Sequence, residues 1–201
     1  MKLRLAPLAA VLMPLLLAAC VGGGSPKANV AYYDLSAEPV NASVSTGTAL
    51  RTLDVVPSTW LSGNAMYYRL AYADSNRRES FVNSRWSAQP AELISTRLQR
   101  SLLSASQGSV PFCRLRVDLD DLSQVFDSER SSRLVLEARA TLYGVQQRVL
   151  ARRTLAISQP AGADAQSGVA ASGALTAELA RELHVWVQRE CVQPVAAAKA
   201  Q

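Results

Sequence analysis

Cys20 stands at the end of Leu17-Ala18-Ala19-Cys20, directly behind an apolar run, and a thiol in that setting is the nucleophile that takes a diacylglycerol group before a peptidase cuts in front of it. Lys2 and Arg4, the stretch from Leu8 to Leu17 and the small residues Ala18 and Ala19 form the three parts of a secretory signal. A transmembrane span is the competing reading. The stretch is too short for it and leads straight into Val21-Gly22-Gly23-Gly24-Ser25-Pro26, with no basic flank. Cleavage would leave Cys20 carrying diacylglycerol and an N-acyl chain, and at about 0.8 kcal/mol per buried methylene two or three chains hold a protein on its membrane. Lipoproteins retained at an inner membrane generally carry aspartate after the cysteine. Val21 stands there instead, so the expected location is the periplasmic face of the outer membrane.

Two further cysteines, Cys113 and Cys191, would meet an oxidising compartment, where they either form a disulfide or stay as two small core thiols. His184 is the only histidine, so any Ser-His or Cys-His mechanism must use it. No G-x-S-x-G elbow accompanies it, and it reads as an ordinary helix-surface or edge histidine. Asp118, Asp120 and Asp121 could be paired carboxylates or a cation site, but strand alternation puts the first two on a polar face and the Gly and Glu spacing of a calcium loop is missing. They read as solvated carboxylates. With no phosphate loop, dinucleotide fingerprint or cysteine run, neither a metal nor a diffusible cofactor is expected. Asn41-Ala42-Ser43 matches a glycosylation triplet by chance in a chain with a bacterial signal. No catalytic residue is assigned.

The formal charge of +5 falls to +3 once Lys2 and Arg4 leave with the signal. The arginines at 97, 100, 114, 116, 130, 133, 139, 148, 152 and 153 are spread out, without the dense patch of a nucleic-acid binder, so nucleic acid is not an expected partner. Removing residues 1–19 from 201 leaves 182, enough for one domain over residues 30–192, hung on a lipidated tether of residues 20–29 and followed by a frayed tail over 193–201.

Strands are expected at 30–35, 50–56, 66–72 and 79–85, with a loop over about 36–48 and a turn at 58–64 after Pro57. Ser87, Pro90 and Glu92 start a helix whose Ala91, Ile94, Leu98 and Leu102 form one stripe, ended by Gly108. Beyond Pro111, Cys113, Leu115, Val117 and Leu119 alternate with charged residues. The runs 134–143 and 149–157 form a hairpin through 144–147, Ser158 to Gly162 is a turn, and a long helix from about Ala165 carries Leu175, Leu179, Leu183 and Trp186 on one stripe. This order predicts an α+β domain, a mainly antiparallel sheet packed against two amphipathic helices. Aromatics crowd the first half: Tyr32, Tyr33, Trp60, Tyr67, Tyr68 and Tyr72. Most are expected to be sheet core, but Trp60 and Leu61, in a loop, could form a contact patch for a partner or an acyl chain, joined by Tyr68. Arg69 and Arg85 either touch lipid headgroups or acidic partner residues, or are paired structural arginines.

The signal with its cysteine, Tyr32-Tyr33-Asp34-Leu35, Val55-Val56-Pro57 followed by Trp60-Leu61, the Tyr68-Arg69 strand, and Arg85-Trp86 leading through Pro90 and Leu93 into an amphipathic helix together resemble the ABC-type transport auxiliary lipoproteins. That resemblance implies a non-catalytic component of a system in which a permease, an ATPase and a protein with mammalian-cell-entry (MCE) domains move phospholipids or related amphiphiles between two membranes. It also implies a homo-oligomer docked at the outer-membrane end. A lipoprotein scaffolding another envelope complex is the alternative.

Overall fold

The computed structural model describes residues 29–35, 50–103 and 113–191. Cys20, the tether apart from Asn29, the loop over 36–48 with Asn41-Ala42-Ser43, Gly108, Pro111 and the tail over 193–201 lie outside the described residues. Seven strands and two helices follow the expected order: β1 Ala31–Tyr33, β2 Leu50–Pro57, β3 Ala65–Leu70, β4 Glu79–Trp86, α1 Pro90–Leu102, β5 Cys113–Ser128, β6 Ser131–Tyr143, β7 Val149–Ala161 and α2 Ala165–Glu190. They form one α+β domain.

One sheet runs β1-β4-β3-β5-β6-β7, with β2 also paired to β5. The long β5–β6 and β6–β7 ladders and the β3–β4 hairpin are antiparallel, while β1–β4, β2–β5 and β3–β5 are parallel. β2 and β3 share one edge of β5. β2 lies beside its first half, up to the Pro57–Leu119 pair, and β3 beside its second, from the Tyr67–Ser123 pair onward. The excursion between them holds a short 3₁₀ turn, Thr59–Leu61, pinned where the Ser58 N–H donates to the Leu119 carbonyl at 2.9 Å. At that same point β5 carries an extra residue, Asp120, between the Leu119–Ala138 and Asp121–Glu137 pairs. A bulge there lets one strand serve two partners in turn.

Alternation decides which face is covered. Leu115, Val117 and Leu119 of β5 pair with Leu142, Ala140 and Ala138 of β6, and all six are buried beneath the helices. Ala91, Ile94, Leu98 and Leu102 of α1 and Leu175, Leu179, Leu183 and Trp186 of α2 join the same core. Full burial of each large side chain contributes about 1.5–3 kcal/mol. The other face, with Arg114, Arg116 and Asp118 alternating along β5, is partly exposed, as a one-sided sheet requires.

Three local expectations are corrected. Residues 158–161 are strand, not turn: β7 runs to Ala161 and Pro160 pairs with Arg133, which an edge strand tolerates because the missing N–H faces outward. Ser87 does not cap α1; its hydroxyl donates to Asp34 Oδ1 at 2.8 Å, and Gln89 takes the cap position without a side-chain bond, with Pro90 opening the helix. The first and third strands end earlier than expected, at Tyr33 and Leu70. By contrast α2 has a full capping box, with Asp164 Oδ1 accepting the Ser167 N–H at 2.8 Å.

Buried Gln124 of β5 explains a glycine inside α2. Its amide donates to the Gly162 and Asp164 carbonyls at 3.0 and 3.1 Å and to Ser132 Oγ at 2.8 Å, tying the β7–α2 turn to the sheet. A Cβ on Gly168 would lie 2.4 Å from Gln124 Oε1. Glycine to alanine in a helix normally stabilises by up to about 1 kcal/mol. Here the sign reverses, because the glutamine is held at its other amide atom and cannot swing away. Gly168→Ala is expected to cost about 1–2 kcal/mol in urea denaturation; a gain in stability would show that Gln124 yields freely.

Candidate functional site

The loop aromatic is not free. Trp60 is half-buried, its ring meeting Tyr67 edge-on at 5.1 Å, and the Tyr67 hydroxyl donates to the Trp60 carbonyl at 3.2 Å. The Arg78 guanidinium lies 3.3 Å from the centre of the Trp60 ring and 3.6 Å from Asp121 Oδ2, which also accepts from Arg69 at 2.6 Å. Tyr67, Trp60, Arg78, Asp121 and Arg69 thus form one stack that clamps the β2–β3 excursion and the β3–β4 turn onto β5. Cation–π and charge-assisted contacts of this kind are strongest where water is kept away.

Of the residues expected to make contacts, Leu61 is corrected outright: at 1 % exposure it belongs to the core and anchors the excursion from within. Tyr68 faces the helix side, packed on Phe81 at 4.7 Å and Phe126 at 5.9 Å. Its hydroxyl donates to Glu79 at 2.7 Å, and that bond with a carboxylate raises its pKa. Arg69 is a paired structural arginine. Arg85 folds back on its own strand, donating to the carbonyls of Phe81 and Ser84. Cys113 and Cys191 are joined by a disulfide with Cα atoms 6.2 Å apart, linking the first residue of β5 to the end of α2. His184 corrects a further expectation, since it is buried, on the inward stripe with Thr176 and Ala180.

Burial pushes the His184 pKa below its ordinary value. The unfolded chain takes up this proton near pH 6.5, the folded chain only at lower pH, so the contribution of neutral His184 is complete above about pH 6.5 and declines as pH falls below it. One proton limits the slope to about 1.4 kcal/mol per pH unit. Urea midpoints should therefore fall between pH 7 and pH 5, and His184→Gln should flatten that fall; an unchanged slope would exclude His184 as its source.

Sequence reasoning missed that register gathers dispersed arginines on the open face. Arg116, Asp118, Arg139, Thr141, Tyr143 and Arg152 line a shallow groove of about 580 Å³. Arg51, Thr52, Asp54, Arg114 and the turn at 144–147 line a second, of about 520 Å³. Ion pairs organise the row: Arg114 with Asp54 at 3.2 Å, Arg116 with Asp118 at 2.7 Å, Arg139 with Asp120 at 2.7 Å. The bond from Arg139 lowers the Asp120 pKa against the opposing effect of burial, and the carboxylates hold Arg116 and Arg139 more firmly charged. The alternation along β5 was the visible signal; pairing across β6 and β7 was not.

Asp118, Asp120 and Asp121 each have an arginine partner, and among the described residues no three His, Cys, Asp or Glu side chains group as a metal site. Among the described residues no helix is long and apolar enough to cross a membrane. The sheet is covered on one side by the two helices and open on the other, where arginines line it, and the chain's one histidine is buried within α2, away from that face. The chain belongs to the ABC-type transport auxiliary lipoprotein component family, whose profile matches residues 33–184. It is an auxiliary, non-catalytic lipoprotein associated with an ABC transport system. The fold is similar to that of protein XCC0632 from Xanthomonas campestris, at 14 % identity over 73 % of this chain and 87 % of that one with a TM-score of 0.64. It is also similar to an uncharacterized protein of known structure, at 15 % identity over 79 % and 99 % with a TM-score of 0.58. No curated protein matches the chain.

Proposed function

We propose that this lipoprotein is anchored through diacylglycerol and an N-acyl chain on Cys20 to the periplasmic face of the outer membrane. There it serves an MCE-type ABC system that moves phospholipids or related amphiphiles between the two membranes. The family match over most of the chain carries this reading, and the signal ending at Cys20 supplies the anchor. Its partners are an MCE-domain protein with its permease and ATPase, and further copies of itself. Tethering raises the local concentration of a docking surface without any new contact.

Mild crosslinking of the tagged lipoprotein in native membranes at its own expression level, followed by affinity purification and mass spectrometry, tests the reading. Recovery of an MCE-domain protein with a permease and an ATPase is the expected result. Recovery of a different envelope machine, with none of these, would overturn it and leave a scaffolding lipoprotein for that machine.

A further inference from the structure

The two most exposed large hydrophobic side chains among the described residues lie at one corner of the sheet: Val82 is 77 % exposed and Tyr32 65 %. β1, which carries Tyr32, is the edge strand opposite β7 and pairs only with β4. Tyr32 pairs with Arg85, while its neighbour Tyr33 pairs with core Trp86, so Tyr32 and Arg85 project to the open face. Val82 lies in the irregular stretch of β4 between its Ser80 and Arg85 pairings with β3, where regular alternation is broken, and it follows Phe81, the residue whose carbonyl Arg85 reaches, which places it, exposed, beside Arg85. Arg85 holds its guanidinium over the backbone between them, on the carbonyls of Phe81 and Ser84. Aromatic, aliphatic and cationic groups thus meet on one patch.

Exposed apolar side chains taken singly need no explanation. Their position on the chain gives this pair a meaning: only eight residues lie between Cys20 and Asn29, nine steps of chain with a reach of roughly 30 Å when extended. An acylated Cys20 holds this corner within that distance of the lipid headgroups. A tyrosine with an apolar body and a polar tip, a valine, and an arginine for phosphate are the side chains that rest stably at a bilayer interface. We propose that the β1–β4 corner, Tyr32, Val82 and Arg85, seats on the phospholipid surface to which the chain is anchored, so that the domain lies in one orientation on the membrane. The proposal rests on acylation of Cys20.

The test uses the full lipidated protein in phosphatidylethanolamine–phosphatidylglycerol vesicles containing a lipid with a nitroxide on its headgroup. An environment-sensitive fluorescent amino acid replaces either Val82 or Val185, the latter an exposed α2 residue on the far, helical side of the domain, 58 % exposed. The seat predicts quenching severalfold stronger at position 82 than at 185, reduced toward the level at 185 by Tyr32→Ser with Arg85→Gln. Equal quenching at both positions, or a difference that survives the double substitution, overturns it. Shielding of the probe at 82 from the nitroxide and from a soluble quencher alike would give the corner to a second copy and likewise overturn it. Flotation reports separately on the anchor: protein that fails to float with the vesicles lacks the acyl chains, and both the anchor and the seat then fall.

Discussion

Replacing both Cys113 and Cys191 with alanine is expected to lower the stability of the domain by about 4 kcal/mol, the chain-entropy cost of opening a loop of this length. The bridge spans 78 residues, from the first residue of β5 to the end of α2, and encloses β5, β6, β7 and the whole of α2. At the end of that helix Cys191 donates its N–H to the Val187 carbonyl, and Val187 and Trp186 are buried against the core. At roughly 2–4 °C per kcal/mol for a domain of this size, the melting temperature should drop by about 10 °C. Thermal unfolding followed by circular dichroism checks it, with reductant as the second arm. Cys113 is fully buried, so the native protein should resist reductant until it opens, while reductant added during unfolding should bring the parent chain down to the variant. A variant that melts with the parent would show that the bridge adds nothing to stability.

The architecture was legible in sequence wherever burial was one-sided. Ile94, Leu98 and Leu102 at helical spacing, and Leu115, Val117 and Leu119 at strand spacing, announced their elements because each element had a wet face and a dry face. Pro160 misled because a proline reads as a turn until it is known that its strand lies at an edge. His184 misled because α2 packs against β6, β7 and α1 together, so its buried stripe is wider than the leucine spacing alone indicates. The contact residues were the least legible. Trp60 and Leu61 follow a proline and read as a loop, yet the loop folds down where β2 hands the β5 edge to β3, and Leu61 enters the core. Nothing local to those residues encodes a strand exchange more than fifty residues away in sequence. The row formed by Arg114, Arg116, Arg139 and Arg152 failed for the same reason, since only cross-strand register makes neighbours of residues on three strands.

Asp121 sits at that strand exchange and is expected to hold it. The bulge at Asp120 sends both Asp120 and Asp121 to the open face, and there Asp121 meets two arginines from a different part of the chain, Arg69 at 2.6 Å and Arg78 at 3.6 Å. Its side chain is 13 % exposed and those of the arginines 25 % and 30 %. Asp121→Ala would leave two guanidinium groups facing each other in a partly dry site, and Arg78 would lose the carboxylate that holds it over Trp60. Breaking a fully buried pair costs about 3–5 kcal/mol. Partial exposure of both arginines screens the remaining repulsion, which brings the expected loss to about 2–3 kcal/mol. Urea denaturation measures it, and a double-mutant cycle with Arg69→Met isolates the pair from the stack. If the charges act by mutual neutralisation, the double variant recovers much of the loss, because an apolar pair of similar volume needs no desolvation. If Asp121→Ala instead costs under about 0.5 kcal/mol, the cluster is an ordinary surface pair, and the excursion is held by Leu61, by the bonds of Ser58 to the Leu119 and Asp120 carbonyls and by the Trp60–Tyr67 contacts.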